Sequence, residues 1–304
     1  MKRVAAVDCG TNSVRLLVAD LPASGPLRDL SRRMEIVRLG EGVDRTGRLA
    51  PDAIARTRAV LADYRERIER LGARHVRMVA TSATRDATNA GDFVAMVRDT
   101  LGVAPEVVSG EEEARLSFAG AVRGLPAGTA APYLVVDIGG GSTEFVVGTE
   151  AVDRAVSVDI GCVRMTERHL RGDPPTPAEV AAAEADITAA VDRALAVVGR
   201  GAATLIGLAG SVTTVAAVAL DLPSYLPDRV HHARVPYPDV ARVTAGLLAM
   251  TRAGRRGLAV MHPGRADVIG AGALILRVVM ERAGAGSVIA SEHDILDGIA
   301  WSLA

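Results

Sequence analysis

Residues 4–19 read VAAVDCGTNSVRLLVA, and residues 133–148 read YLVVDIGGGSTEFVVG. In each stretch an apolar run precedes Asp-x-Gly-x-x-Ser and a second apolar run follows it. The shared pattern indicates an internal duplication. The aligned pairs are Asp8 with Asp137, Gly10 with Gly139, Ser13 with Ser142, and Arg15 with Glu144.

Each copy predicts a β-hairpin whose tight turn is rich in small residues. Glycine and small hydroxyl residues allow backbone N–H groups to crowd around an anion. An aspartate at the mouth of such a turn can hold a cation or orient a water molecule. A single copy could equally be an ordinary hairpin. Two copies half a chain apart favour two related domains whose phosphate-binding turns face one cleft.

The rest of the sequence alternates strand-like runs with helical patterns, which predicts mixed α/β domains. Each predicted helix has a proline at or near its start, and glycines follow the first two helices. The helices are Leu49–Leu71, about Thr176–Val198, and His262–Gly284. The strands lie near residues 4–8, 14–19, 34–39, 75–80, 105–108, 133–137, 144–148, 152–158, 203–208 and 286–290.

Composition excludes several classes of protein. Hydrophobic residues make up 49% of the 304 residues and aromatic residues only 3%, so a large aliphatic core is expected without a base-stacking surface. The formal net charge of −1 argues against a nucleic-acid partner. Two cysteines cannot form a disulfide framework or a cysteine-rich zinc site. Lys2 is the only lysine, which excludes a Walker A loop.

The location of the protein is also predicted from its sequence. The N-terminal sequence lacks the long apolar segment of a signal peptide. The longest uncharged stretch, residues 201–220, is interrupted by glycines and hydroxyl residues, which predict a strand, a turn and a helix. We therefore expect no membrane span and a cytoplasmic protein.

DCGTNSVR at Asp8–Arg15 and DIGGGSTE at Asp137–Glu144 resemble the two phosphate motifs of the exopolyphosphatase and guanosine pentaphosphate phosphatase family. Further matches follow in order, so the resemblance covers nearly the whole chain. They are Ala80–Asn89, Ser109–Arg115, Gly161–Glu167, Ala209–Thr214, His262–Leu276 and Ser291–Gly298.

The resemblance implies the fold of the superfamily of actin, heat-shock ATPases and sugar kinases. In that fold two ribonuclease-H-like α/β domains surround an interdomain cleft. We expect the first domain at residues 1–124 plus 292–304 and the second at residues 125–291, as in the short two-domain form of the family. The helix near Ile295–Leu303 is expected to return to the first domain.

Removal of a terminal phosphate requires anion positioning, charge neutralisation and an oriented water molecule. The two turns supply the first requirement. The resemblance also implies that Arg85, in the Ala80–Asn89 motif, contacts phosphate, and a surface ion pair between Arg85 and Asp86 is the alternative. The expected phosphate-binding residues are Gly10, Thr11, Asn12, Ser13, Arg15, Arg85, Gly139, Gly140, Gly141 and Ser142.

Carboxylates in the two motifs are the expected metal ligands. The resemblance implies that Asp137 and Glu144 hold Mg²⁺, for which Mn²⁺ can substitute. Asp8, which belongs to the first motif, is expected to contact the metal through water. Its alternative role is to cap the turn.

The segment Ser109–Arg115, SGEEEAR, begins a helix. Ser109 and Glu112 fit a capping box, and Glu111 suits a helix N-terminus. Glu113 lies past the capping position, and the resemblance implies that it activates the attacking water. Its alternative role is that of a solvated residue on the helix face.

The resulting functional hypothesis is an exopolyphosphatase that acts on short-to-medium polyphosphate, with guanosine pentaphosphate as the alternative substrate. Ala209–Thr214 lies where superfamily members approach an adenosine, although in this chain it can simply pack a strand against a helix. A kinase-like phosphotransferase lacks an obvious adenine signature here. A non-catalytic regulator or actin-like assembly module is the competing class, since fold does not determine function. The resemblance also implies a homodimer.

Overall fold

The computed structural model describes residues 2–22 and 25–304. The chain forms two compact units, Met1–Gly124 with Asp294–Ala304, and Leu125–His293. The chain leaves the second unit after His293, whereas the sequence places that boundary after residue 291. Each unit is built around one mixed β-sheet with helices packed against it.

The sheet of the first unit has the strand order β3-β2-β1-β4-β5. Strands β1, β2 and β3 are antiparallel, whereas β4 and β5 continue the sheet in parallel. The strands are β1 Lys2–Cys9, β2 Ser13–Leu21, β3 Arg28–Ile36, β4 His75–Ala80 and β5 Glu106–Val107. The helices of this unit are α1 Val43–Thr46, α2 Pro51–Leu71, α3 Ser82–Arg85, α4 Ala90–Leu101, α5 Gly110–Val122 and α13 Ile295–Trp301.

The sheet of the second unit has the order β10-β11-β9-β6-β7-β8. Its strands are β6 Tyr133–Ile138, β7 Thr143–Gly148, β8 Val152–Val158, β9 Thr204–Leu208, β10 Arg234–Pro236 and β11 Ser287–Ala290. Its helices are α6 Cys162–His169, α7 Pro177–Val198, α8 Ala209–Ala219, α9 Pro227–Val230, α10 Tyr237–Ala249, α11 Arg252–Arg256 and α12 Ile269–Ala283, with a short 3-10 turn at Pro263–Arg265.

The two duplicated motifs form equivalent hairpins. In the first unit β1 and β2 pair with Asp8 opposite Arg15, and in the second β6 and β7 pair with Asp137 opposite Glu144. In each unit the first strand of the hairpin also pairs in parallel with a later strand, β4 or β9. The predicted duplication is therefore confirmed in both register and strand order.

Apolar side chains on both faces of β1 are buried. Ala5 and Val7 belong to a core that includes residues of α2 and α4, whereas Val4 and Ala6 belong to a core that includes residues of α13. A strand covered on both faces requires a nearly continuous apolar run, because successive side chains point to opposite sides. This explains why the motif has apolar residues at every position before Asp8.

Two helix predictions are confirmed at their C-terminal ends, and their starts lie within two residues of those predicted. Helix α2 begins at Pro51 and ends before Gly72, whose φ of 71° is the left-handed conformation that glycine adopts readily. Helix α7 begins after Thr176, whose side chain forms a capping box with Glu179, and ends before Gly199.

The predicted helix His262–Gly284 is wrong at its start. The ring of His262 accepts the N–H of Gly264, which closes the 3-10 turn, and Arg265 is held by Thr214 at 2.9 Å. These contacts hold the first residues apart from the helix, so α12 begins only at Ile269. The predicted strand at residues 34–39 is also shifted, because β3 ends at Ile36.

The long uncharged stretch, residues 201–220, forms β9 and α8. In the part of the chain that the structure describes, no helix has the length and apolar character needed to cross a bilayer.

Candidate active site

The turn between β1 and β2 presents backbone donors. The N–H of Gly10 bonds to the carbonyl of Ser13 at 3.0 Å and closes the turn. The Thr11 carbonyl accepts the N–H of Gly40 at 2.8 Å, and the Asn12 carbonyl accepts two further N–H groups from the segment after β3. Among the described residues, the N–H groups of Thr11 and Asn12 have no acceptor. The turn therefore offers donors to an anion.

The turn between β6 and β7 has the same construction. The N–H of Gly139 bonds to the Ser142 carbonyl at 3.1 Å. The carbonyls of Gly139 and Gly140 accept N–H groups from the first residues of α6, Cys162 and Val163, both at 2.9 Å. In the described chain the N–H groups of Gly140 and Gly141 have no acceptor.

Gly161 allows this close approach of α6 to the second turn. A Cβ atom at position 161 would lie 2.3 Å from the carbonyl oxygen of Gly140. Glycine is therefore required by the backbone contact, which explains a residue of the Gly161–Glu167 motif that the sequence left without a role.

Asp8 and Arg15 form a buried ion pair beside the first turn. The Arg15 guanidinium donates to one Asp8 oxygen, Oδ2, from Nε at 2.9 Å and from Nη2 at 2.7 Å, and its Nη1 donates to Asp294. Burial raises the pKa of Asp8, an effect that the positive charge of Arg15 opposes. The second Asp8 oxygen, Oδ1, is buried without a hydrogen-bond partner.

Asp137 and Glu144 lie opposite each other on adjacent strands, and they are 7% and 1% exposed. The hydroxyl of Ser157 donates to Glu144 Oε1 at 2.7 Å. Two carboxylates in directly opposed positions repel each other, and a cation between them offsets that repulsion. The pair fits Mg²⁺, which binds through one or two carboxylates and keeps water or phosphate as its other ligands.

The structure provides no larger ligand set within either unit. Across residues 2–22 and 25–304, no three His, Cys, Asp or Glu side chains gather closely enough to hold a metal ion by themselves. The unpartnered Oδ1 of Asp8 is compatible with the predicted contact through water. Its role as a metal contact stays a prediction.

Glu113 is buried, at 8% exposed, and its Oε2 lies 3.1 Å from Nη1 of Arg85. The same Nη1 donates to the carbonyl of Val108 at 2.9 Å. The alternative of a solvated Glu113 is therefore wrong. Arg85 pairs with Glu113 and not with the neighbouring Asp86, so the structure brings together two of the predicted site residues.

The beginning of α5 explains the burial of Glu113. Ser109 caps the helix by accepting the N–H of Glu112 at 3.2 Å. The predicted capping box is only half formed, because the Glu112 carboxylate faces Arg77 at 3.7 Å. Glu111 pairs with Arg115 on the exposed side at 2.6 Å. Successive helical residues lie 100° apart, so the third glutamate faces the protein.

Asp294 is a residue that the sequence did not single out. It caps α13, where its Oδ1 accepts the N–H of Leu296 at 3.0 Å, and its other oxygen pairs with Arg15. It lies in the matched Ser291–Gly298 motif, which is the only signal in the sequence that could have indicated it. Its partner is 279 residues away along the chain.

Three histidine rings lie together in the second unit. Adjacent side chains point apart in regular structure, but the ring centroids of His231 and His232 are 3.6 Å apart, and the ring of His293 lies 4.4 Å from that of His231. The cause is the backbone of His232, whose φ of 62° departs from regular structure. Burial lowers the pKa of His232.

Comparison with known proteins identifies the family of the chain. Residues 17–304 match the model of the Ppx/GppA phosphatase family. The chain belongs to this family. It is 52% identical to exopolyphosphatase 2 of Mycobacterium tuberculosis over 100% of this chain and 99% of that protein.

Solved structures of family members agree in fold. An exopolyphosphatase-like protein superposes with a TM-score of 0.94 at 40% identity, covering 99% of this chain and 97% of that one. The Aquifex aeolicus family member gives a TM-score of 0.82 at 32% identity, with the same coverage of 99% and 97%. The fold of this chain, two mixed α/β units, is therefore the fold of these family members.

Proposed function

We propose that this chain is an exopolyphosphatase that hydrolyses the terminal phosphoanhydride of inorganic polyphosphate and releases orthophosphate. The observation that carries the proposal is the buried Glu113 carboxylate, held by Arg85 in the unit that contains the first phosphate-binding turn. The 52% identity to a full-length exopolyphosphatase supports the same reaction. A purely binding module needs the turns but has no need of this carboxylate.

The two turns bind the phosphate groups. Each turn by itself offers backbone N–H donors, which suit phosphoryl oxygens. Arg85 provides a positive charge beside the water-activating carboxylate. Arg15 belongs to the first motif, and its charge is shared between Asp8 and Asp294.

Asp137 and Glu144 are proposed to hold Mg²⁺, or Mn²⁺ in its place. Members of the family generally use a divalent metal. When bound, the ion neutralises negative charge on the phosphoryl oxygens. The hydrogen bond from Ser157 fixes the orientation of the Glu144 carboxylate.

Glu113 accepts a proton from the attacking water. The water oxygen forms a bond to the terminal phosphorus while the bridging P–O bond breaks, so the shortened polyphosphate carries away the electron pair of that bond. Arg85 fixes the carboxylate from one side at 3.1 Å, and the carboxylate orients the water through a hydrogen bond.

The decisive variant is Glu113→Gln, which keeps the size of the side chain but removes the anionic proton acceptor. General-base catalysis contributes about 10²–10⁴-fold, so turnover is expected to fall by that factor while polyphosphate binding persists. The measurement is orthophosphate release under saturating polyphosphate, with a thermal melt to verify folding.

Glu112→Gln is the matched control because Glu112 is the adjacent residue and faces Arg77. We expect it to retain most of its turnover. Equal, small losses in the two variants would show that Glu113 is not the base and would favour the non-catalytic alternative.

Substrate preference is tested by presenting short, medium and long polyphosphate, guanosine pentaphosphate and ATP side by side. We propose short-to-medium polyphosphate as the preferred substrate, and guanosine pentaphosphate is the second candidate because the matched family includes both activities in its name. Higher kcat/KM for guanosine pentaphosphate would reverse this order. No phosphate release from any of them would refute the enzymatic proposal.

We further propose a homodimer, which the family resemblance implies, and a cytoplasmic location. Light scattering of the purified protein measures its mass directly. A monomeric mass at working concentration would contradict the dimer, and fractionation of cells tests the location.

A further inference from the structure

A side chain holds one carbonyl of the second turn, whereas no side chain among the described residues holds the equivalent carbonyl of the first turn. The carbonyl of Gly141 accepts a hydrogen bond from a side chain, the Nε of Arg164, at 2.7 Å. Arg164 also donates its backbone N–H to the Gly140 carbonyl at 3.1 Å. One residue therefore holds two successive carbonyl groups of the turn.

In the described part of the chain, the equivalent carbonyl of the first turn accepts hydrogen bonds from backbone N–H groups only. Asn12 aligns with Gly141, and its carbonyl accepts the N–H groups of Val37 and Arg38 at 3.0 and 2.9 Å. The first turn is thus fixed by the path of the chain after β3. In the second turn, the corresponding position depends on a guanidinium group.

The hydrogen bond from Arg164 also determines where the next backbone N–H points. A trans peptide points its C=O and the following N–H in opposite directions within one plane. Because Arg164 holds the Gly141 carbonyl, the Ser142 N–H is turned to the opposite side of that peptide. By the same rule, the bonds to Gly139 and Gly140 turn the N–H groups of Gly140 and Gly141 away from α6.

We propose that Arg164 is a positioning residue that holds the Gly141–Ser142 peptide so that the Ser142 N–H donates to a substrate phosphate. The inference rests on the proposed function, in which this turn binds phosphate. Glycines permit many backbone conformations, so without the guanidinium the peptide between Gly141 and Ser142 is free to rotate. The turn then loses one of its three aligned donors.

Arg164→Met removes the side-chain donor and keeps an unbranched chain of similar length. Hydrogen bonds that involve a charged group are among the stronger ones in proteins, so KM for polyphosphate is expected to rise roughly tenfold or more. We expect kcat to change less than KM and a thermal melt to show that the variant is still folded at the assay temperature. Unchanged KM in a folded Arg164→Met variant would overturn the proposal.

Arg168→Met is the matched control because Arg168 lies one turn later on α6 and pairs with Asp186 at 2.9 Å. It removes the same charge from the same helix, and its KM is expected to match that of the wild type. Arg164→Lys keeps a positive charge and a donor, so its KM should fall between those of the wild type and Arg164→Met. If Arg164→Met does not fold, the KM of Arg164→Lys is compared with that of the wild type instead. Equal KM values would then overturn the proposal that Arg164 holds the Gly141–Ser142 peptide.

Measurements at two ionic strengths distinguish an effect of peptide orientation from an effect of the Arg164 charge. Raising the ionic strength from about 0.1 M to about 1 M shortens the Debye length from roughly 10 Å to roughly 3 Å. An effect of peptide orientation persists at high salt, so the ratio of the Arg164→Met and wild-type KM values should remain well above one. A ratio that falls to one would assign the effect to long-range charge and overturn the proposal.

Failure of the proposed function is distinguishable from failure of this inference. Wild-type protein that releases no phosphate contradicts the exopolyphosphatase proposal. Calorimetric titration with inorganic tripolyphosphate, with and without Mg²⁺, still compares the Kd values of wild type and Arg164→Met. A rise in Kd of roughly tenfold supports the role of Arg164 in holding the turn, and equal Kd values overturn it.

Discussion

At one position the two duplicated hairpins carry opposite charges. In the first, Arg15 lies opposite Asp8 and neutralises it, whereas in the second, Glu144 lies opposite Asp137 and adds a second acid. Opposed unlike charges stabilise a pair of strands and opposed like charges destabilise it. The difference between Arg15 and Glu144 therefore pairs an acid with a base in the first hairpin and sets two acids opposite each other in the second.

Arg15→Met tests how much the ion pair of Arg15 with Asp8 stabilises the fold. The variant leaves Asp8 and Asp294 buried without their shared cation, and breaking a buried ion pair costs about 3–5 kcal/mol. The free energy of unfolding, measured with urea, should fall by an amount in that range at neutral pH.

The pH dependence of the same variant follows from Asp8. Burial already raises its pKa in the folded protein, and loss of Arg15 would raise it further. A carboxyl group whose folded pKa exceeds its unfolded value stabilises the fold below about pH 4 and loses that contribution as pH rises. The difference between wild type and Arg15→Met should therefore shrink from about pH 8 to about pH 5. A constant difference would contradict this account.

How far individual residues could be predicted depends on the sequence distance between partners. The local pattern could set Glu113 apart, because Ser109 and two neighbouring glutamates account for the helix start, whereas its proposed role came from the family resemblance. The pairing of Arg15 with Asp294 could not, since no local pattern reports a contact across 279 positions. The stacking of His231 and His232 also escaped prediction, because it depends on one residue with positive φ.

Helices α5 and α13 approach each other through glycines. A Cβ atom at Gly120 would lie 1.8 Å from the carbonyl oxygen of Asp294, and one at Gly298 would lie 1.9 Å from that of Leu116. Each helix therefore packs against the backbone of the other. This contact places Asp294, at the start of α13, where it can reach Arg15.

Gly120→Ala is expected to destabilise the protein. Overpacking costs about 1–3 kcal/mol, and the upper end applies because the obstructing atoms belong to the backbone. Gly246→Ala is the control, since position 246 is also helical and has no atom within 4 Å of the added Cβ. The free energy of unfolding of Gly246→Ala should rise by about 0.5–1 kcal/mol. Urea unfolding of both variants measures the contrast, and losses of similar size would refute the close-packing explanation.

Helices with strong local signals at their ends were predicted well. Ends that depend on tertiary contacts were not. Proline at the start and glycine at the end were sufficient for α2 and α7. The start of α12 was not predictable in this way, because Thr214 holds Arg265 from another helix. Strand β3 ends early because the next residues bond to the carbonyl of Asn12.

For the whole molecule, the distribution of acids predicts that a metal serves activity and not folding. The described residues contain no cluster of three ligands that would make an ion structural. We expect excess EDTA to abolish phosphate release, and Mg²⁺ or Mn²⁺ to restore it, while circular dichroism stays unchanged. Full activity in EDTA would contradict the metal requirement, and loss of the helical signal would show that the metal is structural.

The return of α13 to the first unit imposes an order on biosynthesis. The ribosome makes β1, β2 and α5 first, then all of residues 125–293, and only afterwards Ile295–Trp301. At about 5–20 residues per second, the intervening segment takes roughly 10–30 s to emerge. During that interval the nascent first unit has Arg15 without Asp294 and α5 without its partner helix. The second unit, contiguous in the chain, can close before the first is complete.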